Sequence, residues 1–466
     1  MLRLEPMNHY LKIVGLLVTA YLISAISPLL LAHLAHFDQA QLAIASTLWC
    51  TGLFLMFGWA CSKLSEGTIF PNFTLQLLVG VVLHDALAPL SAQLLLAVVV
   101  CTALAAIILK SGGDEIDRKE FLKIAMPTMM IAVVGYLVTF FVMYLLLVGL
   151  GLDGRTSALL SAIIGSTDPA ALIPTLKQLV FRDEYRRVSD IAIAESALND
   201  AVGAIFTAAV ATMILSGTSV DSLGQLSASL FSPQNLLQLG REFLFGTLAG
   251  LVGWGIMSYY GRYKQAQHAS GAADAPYDFA IVLAVPLVTF VIAQEIEGNG
   301  FLAAFVAGLL ANFNHGSTYF HQQLRLLETK IESIAKPTIF MMVGPFVSMQ
   351  DLAQSATMGF MVSMLFICIA RPVAVMVSML PTAISMKEKL FLCAIRETGV
   401  IPVVLAVITA AQFPDLKQLM PLTAWTVIWT LTLLPALTPW WSRKLGIVQP
   451  DNPQPAAIPV PQTHTD

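Results

Sequence analysis

Charged side chains are scarce: Asp, Glu, Lys and Arg make up 12% of the 466 residues, where a soluble domain carries about a quarter. That scarcity excludes a water-soluble globule of this length. With 57% hydrophobic residues and a mean hydropathy of +0.76, the solvent is lipid. No basic block or charged tail marks a nucleic-acid partner, and the formal net charge is only -4. Cys50, Cys61, Cys101, Cys368 and Cys393 are scattered and odd in number, without metal-ligand spacing. They point to neither a disulfide framework nor a zinc site and read as small core residues. Strands alternating polar and apolar over about ten residues, the mark of a membrane barrel, are also lacking.

What is present is a train of continuous apolar runs. A run of about 20 residues crosses a hydrocarbon core of about 30 Å as a helix, which satisfies its own backbone hydrogen bonds. Such runs fall at roughly 11–34, 42–60, 69–90, 91–110, 122–150, 155–176 and 190–215. More follow at 236–260, 277–296, 298–313, 335–350, 355–380, 388–412 and 419–441. The fold class is an all-α polytopic membrane protein with about fourteen transmembrane helices. Residues 1–34 resemble a cleavable leader in outline, but their apolar run exceeds the usual core of about 7–15 residues and is kept as a span.

With the amino terminus in the cytoplasm, 20 of the 25 Lys and Arg lie on cytoplasmic segments. Only Arg155 and Lys417 fall outside, while Arg241, Arg371 and Arg396 lie within spans. Both termini are therefore expected in the cytoplasm. Segment 314–335 carries Tyr319, Phe320, Leu324, Leu327, Ile331 and Ile334 at helical spacing, which predicts an interfacial helix. The Pro-rich stretch after Lys444 reads as too short for a nucleotide-binding regulatory domain, so a bare transport module is expected.

Four acidic residues, Asp168, Glu195, Asp200 and Glu397, fall deep inside spans, where each ionised group costs at least ~2.5 kcal/mol unless compensated. Arg371 and Arg396 are the candidate partners. Structural ion pairing is the plain alternative, but six deep charges on four helices exceed what packing needs. By contrast, Asp85, Glu242 and Glu295 fall near external span ends, where carboxylates attract cations, but solvation at the interface is the plainer reading and they are not counted as sites.

The run Gly165-Ser166-Thr167-Asp168-Pro169, with Pro174 beyond it, breaks its helix near the middle. Arg396-Glu397-Thr398-Gly399-Val400-Ile401-Pro402 breaks another, seven spans later. An ordinary proline kink is the alternative to each. Paired broken helices suggest inverted repeats with two crossed breaks and a binding site at the midplane. On the helix between them Ser196 and Asp200 share one face, while Glu195 and Asn199 share its neighbour. A hard monovalent cation takes oxygen ligands, which Asp200, Ser196, Thr167 and Asp168 supply. A carboxylate that binds either a cation or a proton is an exchanger.

Over about residues 42–441 the sequence resembles the cation:proton antiporter superfamily, in its electroneutral sodium/proton exchanger branch. Thr167-Asp168-Pro169 is similar to that family's Thr-Asp-Pro break, and Glu195-Ser196-x-x-Asn199-Asp200 to its Glu-Ser-x-x-Asn-Asp helix. Residues 300–309 resemble its small-residue helix on the dimerisation side, and Arg371-Pro372 its helix with a basic residue. The resemblance implies core helices at about 122–215 and 355–441, moving like an elevator against scaffold helices at about 42–110 and 236–350. Residues 1–41 are then an extra amino-terminal helix and 442–466 a short cytoplasmic tail.

The resemblance also implies Na+ bound at Asp200, Thr167 and Ser196, with Asp168 and Asn199 beside it, and Glu195 paired with Arg371. Asn199, where electrogenic relatives carry aspartate, goes with one-for-one exchange; an amide carries no proton. The implied setting is the inner membrane of a prokaryote, as a homodimer serving pH homeostasis. Its partners would be monovalent cations, protons and lipid, with no nucleic acid, no cofactor beyond the transported Na+ or K+ and H+, and no enzymatic chemistry. One residue departs from the pattern. Glu397 stands where the branch usually has glycine, and is either a second proton site or the partner of Arg396.

Potassium/proton exchange fits the same motifs, because ligand identity alone does not set cavity size. A cation channel lacks a run of filter carbonyls. An enzyme lacks a base beside Ser196, and His84, His315 and His321 fall at span ends or in loops.

Overall fold

The computed structural model describes residues 5–33, 38–66, 68, 71–114, 116, 118–167, 169–269, 279–311 and 318–449. Among them the regular elements are helices, apart from one antiparallel bridge between Phe181 and Val448. The first is α1 (Glu5–His33), followed by α2 (Gln39–Ser65), whose capping box pairs Asp38 with the Gln41 backbone at 2.7 Å. Next, α3 (Asn72–Val82) and α4 (His84–Ala92) form one apolar run bent by 78°. A Cβ on Gly80 would collide with the Met341 backbone, so glycine permits this approach. Then come α5 (Leu94–Asp114), α6 (Arg118–Met129) and α7 (Tyr136–Gly149), the last two joined by a π-helical turn.

The first broken helix consists of α8 (Gly154–Ile163) and α9 (Pro169–Lys177), and α10 (Arg187–Leu215) follows it. A short α11 (Leu223–Leu230) leads into α12 (Pro233–Ala269), α13 (Phe279–Glu295) and α14 (Gly300–Ala311). Beyond them lie α15 (Thr318–Met341), α16 (Met349–Gln354), α17 (Ala356–Leu365) and α18 (Arg371–Ser378). The second broken helix is α19 (Met386–Cys393) with α20 (Val400–Gln412), and α21 (Leu419–Leu445) ends the described chain.

Eight helices among the described residues are long and apolar enough to cross a membrane, or nine if the bent pair is one span. The apolar helices α13, α14 and α20 are shorter.

Two expectations are corrected. The interfacial helix and the separate span at 335–350 are replaced by one helix, Thr318–Met341, after which the chain turns through Gly344–Phe346; residues 314–317 lie outside the described residues. Leu324 and Ile331 of the helical pattern there are buried in a cluster with Ile107 of α5, Met257 of α12 and Val282 and Val285 of α13. Buried Lys110 bonds Asp114 and Glu328, and Glu332 accepts from Ser111 and Lys336.

Small residues set the packing of α14 between α5 and α12. A Cβ on Gly308 would overlap the Lys110 carbonyl, whereas one on Gly112 meets nothing. Gly308→Val should therefore lower the melting temperature of detergent-solubilised protein, at a cost of about 1–3 kcal/mol or more. Gly112→Ala should leave it nearly unchanged; equal melting of the two variants would contradict this packing.

Candidate ion-binding site

Each helix break leaves carbonyls without intrahelical partners, and the buried arginines answer them. Arg371, 1% exposed, donates from Nε to the Leu392 carbonyl at 3.0 Å and from Nη2 to that of Ile395 at 3.2 Å. Both carbonyls lie at the carboxyl-terminal end of α19, where a cation is also favoured by the helix dipole. Arg396, between α19 and α20, donates to the Gly165 carbonyl at the end of α8 and lies over the Phe366 ring at 5.3 Å. One arginine therefore links the two breaks. On the far side of the second break, the Thr398 amide donates to the Thr430 hydroxyl at 3.2 Å.

Glu195 on α10 receives these cations. Its two carboxylate oxygens accept from Arg371 Nη1 at 2.7 Å and Nη2 at 2.8 Å, and Arg396 Nη1 stands 3.7 Å away. The bidentate fork satisfies both charges in a dry site.

The next residues along α10 meet the first break. The Thr167 amide donates to Asn199 Oδ1 at 3.0 Å, which fixes the orientation of that side chain. Asn199 Nδ2 then donates to Thr167 Oγ1 at 2.9 Å, and the Thr167 hydroxyl donates to Ser196 Oγ at 2.9 Å. Asn199 is fully buried and clamps the break.

Asp200 is 5% exposed, one helical turn beyond Ser196. Glu397 is 1% exposed in the non-helical stretch between α19 and α20. Asp168 lies outside the described residues. The structure thus joins Thr167, Ser196, Asn199, Glu195, Arg371 and Arg396 in one network, with Asp200 on the adjoining turn. Sequence reasoning missed the Leu392, Ile395 and Gly165 carbonyls as the arginines' acceptors. For Arg396 the usable signal was its place at the second helix break; Arg371, at the start of α18, carries no such signal. It also missed Thr430 and Phe366, for which no motif exists. Among the described residues no three His, Cys, Asp or Glu side chains cluster as a metal centre. The hydroxyls of Thr167 and Ser196 and the Asp200 carboxylate supply hard oxygen donors, which suit a monovalent cation as cargo.

Residues 51–444 match the family described as "Sodium/hydrogen exchanger, transmembrane". The chain belongs to this family. It is an integral membrane protein. It is 26% identical over 355 residues to the K(+)/H(+) antiporter NhaP2 of Shewanella baltica, covering 76% of this chain and 58% of that one. To the K(+)/H(+) antiporter NhaP of Alkalimonas amylolytica it is 26% identical over 317 residues, 66% of this chain and 50% of the relative. The chain thus spans between half and three-fifths of these curated relatives' length. Among solved structures, the sodium proton antiporter MjNhaP1 from Methanocaldococcus jannaschii at pH 8 superposes with a TM-score of 0.70 at 19% identity. That likeness covers 87% of this chain and 99% of the other, and establishes a shared antiporter fold.

Proposed function

We propose that this exchanger-family chain is a monovalent cation/proton antiporter in which Asp200 binds the cation and the proton by turns. The observation that carries this reading is the buried Asp200 carboxylate, one turn from the paired hydroxyls of Ser196 and Thr167 at a helix break. Sodium is the proposed cation, with Asp168 contributing beside Asp200. Potassium is the second reading, favoured by the names of the NhaP and NhaP2 relatives. In the proposed cycle the helices from α6 to α10 and from α17 to α21 move as one body against the others, within a homodimer in a prokaryotic inner membrane.

Vesicles carrying a pH-sensitive dye, given sodium, lithium and potassium in turn, test class and ion together. Sodium should collapse an imposed proton gradient at the lowest concentration; potassium alone doing so would replace sodium in the reading, and no cation doing so would end it.

Exchange should be electroneutral. Glu195 is neutralised by Arg371, and Asn199 cannot carry a proton, so Asp200 takes one charge each way. A net charge crossing the whole membrane would gain ~2.3 kcal/mol per 100 mV, so an imposed potential should leave the rate unchanged. Strong potential-driven sodium uptake would instead recruit Glu397 as a further proton carrier.

A further inference from the structure

A polar cavity of about 590 Å³ opens between the last turns of α10, at Ala208 and Thr212, the first turns of α12, and the turn joining α13 to α14. Ala208 stands eight residues beyond Asp200, about 12 Å along the helix axis. By the charge bias of the loops this is the external end of the bundle.

Three charged residues line the cavity: Arg241, Glu242 and Glu297. Arg241 pairs with Glu297. Glu297 has a φ of 61°, the sole positive value outside glycine among the described residues. Such a conformation persists only where its surroundings fix it. Here the ion pair and the Gly298 amide, which donates to the Ala293 carbonyl at 2.7 Å, hold the turn.

Glu242 is placed differently. Its Oε1 accepts from Gln238 Nε2 at 3.1 Å, and the Asn299 side chain also bonds the carboxylate, two neutral partners that leave its charge unmatched. Its backbone carbonyl takes the Asn299 amide at 3.0 Å, which fixes α12 to the turn. The carboxylate is half-buried and lines this cavity. Since Arg241 is matched by Glu297, one negative charge is left to the cavity. That is the charge of one monovalent cation. With about 30 Å³ per water, there is room for on the order of twenty waters, so such an ion keeps its hydration shell. An anion finds Arg241 already engaged.

We propose that this cavity is a second cation site, which takes a hydrated monovalent cation against Glu242 before it reaches Asp200. The inference rests on the exchange reading above. Right-side-out and inverted vesicles test it, with sodium chloride as probe and choline chloride to set ionic strength. Glu242→Gln should raise the apparent sodium constant about fivefold from the external face, equivalent to about 1 kcal/mol. The constant from the other face and the maximal rate should stay as in the unaltered protein, and Glu242→Asp should restore the external constant. An unchanged external constant, or equal weakening from both faces, would overturn the proposal. Should Glu242→Gln fail to insert, the choline arm decides. Screening should weaken sodium uptake from the external face of the unaltered protein alone, and a symmetric effect would overturn the site. If the unaltered protein moves no protons with any cation, the exchange reading fails instead. Equilibrium binding of radiolabelled sodium then reads the cavity directly, weaker in Glu242→Gln and intact in Glu242→Asp; binding that both substitutions leave alone overturns it.

Discussion

Asp200→Asn should abolish cation-driven proton movement while the protein still folds, inserts and melts at or above the temperature of the unaltered chain. Asparagine keeps the size and hydrogen-bonding reach of aspartate but removes both the charge and the titration. The cation loses its counter-charge and the proton loses its carrier, so both halves of the exchange stop together. Stability should not suffer, because an ionised carboxylate in the membrane costs at least ~2.5 kcal/mol unless compensated, and asparagine brings no charge to compensate. The neighbouring network is left intact, since Thr167, Ser196 and Asn199 bond one another. Vesicle exchange measured beside detergent melting separates the two effects. Substantial sodium- or potassium-driven proton flux by well-expressed Asp200→Asn protein would remove Asp200 from the mechanism.

The second large effect belongs to Arg371 and is one of stability. Arg371→Ala strands Glu195 in a dry site and at the same time uncovers the Leu392 and Ile395 carbonyls at the end of α19. Removing one partner of a buried pair costs about 3–5 kcal/mol. Arg396 Nη1, 3.7 Å from Glu195, stands beyond hydrogen-bond distance and replaces the bidentate fork only in part. The variant should be poorly folded, read as a large fall in monodisperse protein and in melting temperature. Adding Glu195→Gln should recover part of the loss, because the uncompensated charge is gone although the carbonyls remain uncovered. If the double variant melts no higher than Arg371→Ala, the stranded charge is not the cause.

Both helix breaks were legible in the sequence for a simple reason. Pro169 lacks the amide that a continuous helix needs, and Gly399 with Pro402 interrupts an apolar run at the corresponding place in the second half. The all-helical membrane fold was legible from the scarcity of charge. Less was legible where one residue type serves two environments. The helical spacing of Leu324, Leu327 and Ile331 suits an interface as well as a packed helix, and the burial of Leu324 and Ile331 beside Lys110 and Glu328 is visible only in the fold. Glu242 reads as an ordinary interfacial carboxylate until the α13–α14 turn is seen to bond its backbone carbonyl and to line the same cavity. An arginine beside a break hints at a carbonyl acceptor, but which carbonyls Arg371 and Arg396 bond carries no sequence signature, because every residue has a carbonyl.

Competition between proton and cation at one carboxylate is the central claim, and the pH dependence of the apparent cation constant tests it most directly. In a one-site scheme, once Asp200 is mostly protonated, the constant should rise nearly tenfold for each unit that pH falls, equivalent to about 1.4 kcal/mol per unit. The maximal rate at saturating cation should change far less. The measurement is a cation titration of vesicle exchange at a series of pH values, equal on both sides. A constant that stays level across the series while the maximal rate falls would mean that proton and cation occupy separate groups, and would contradict the account.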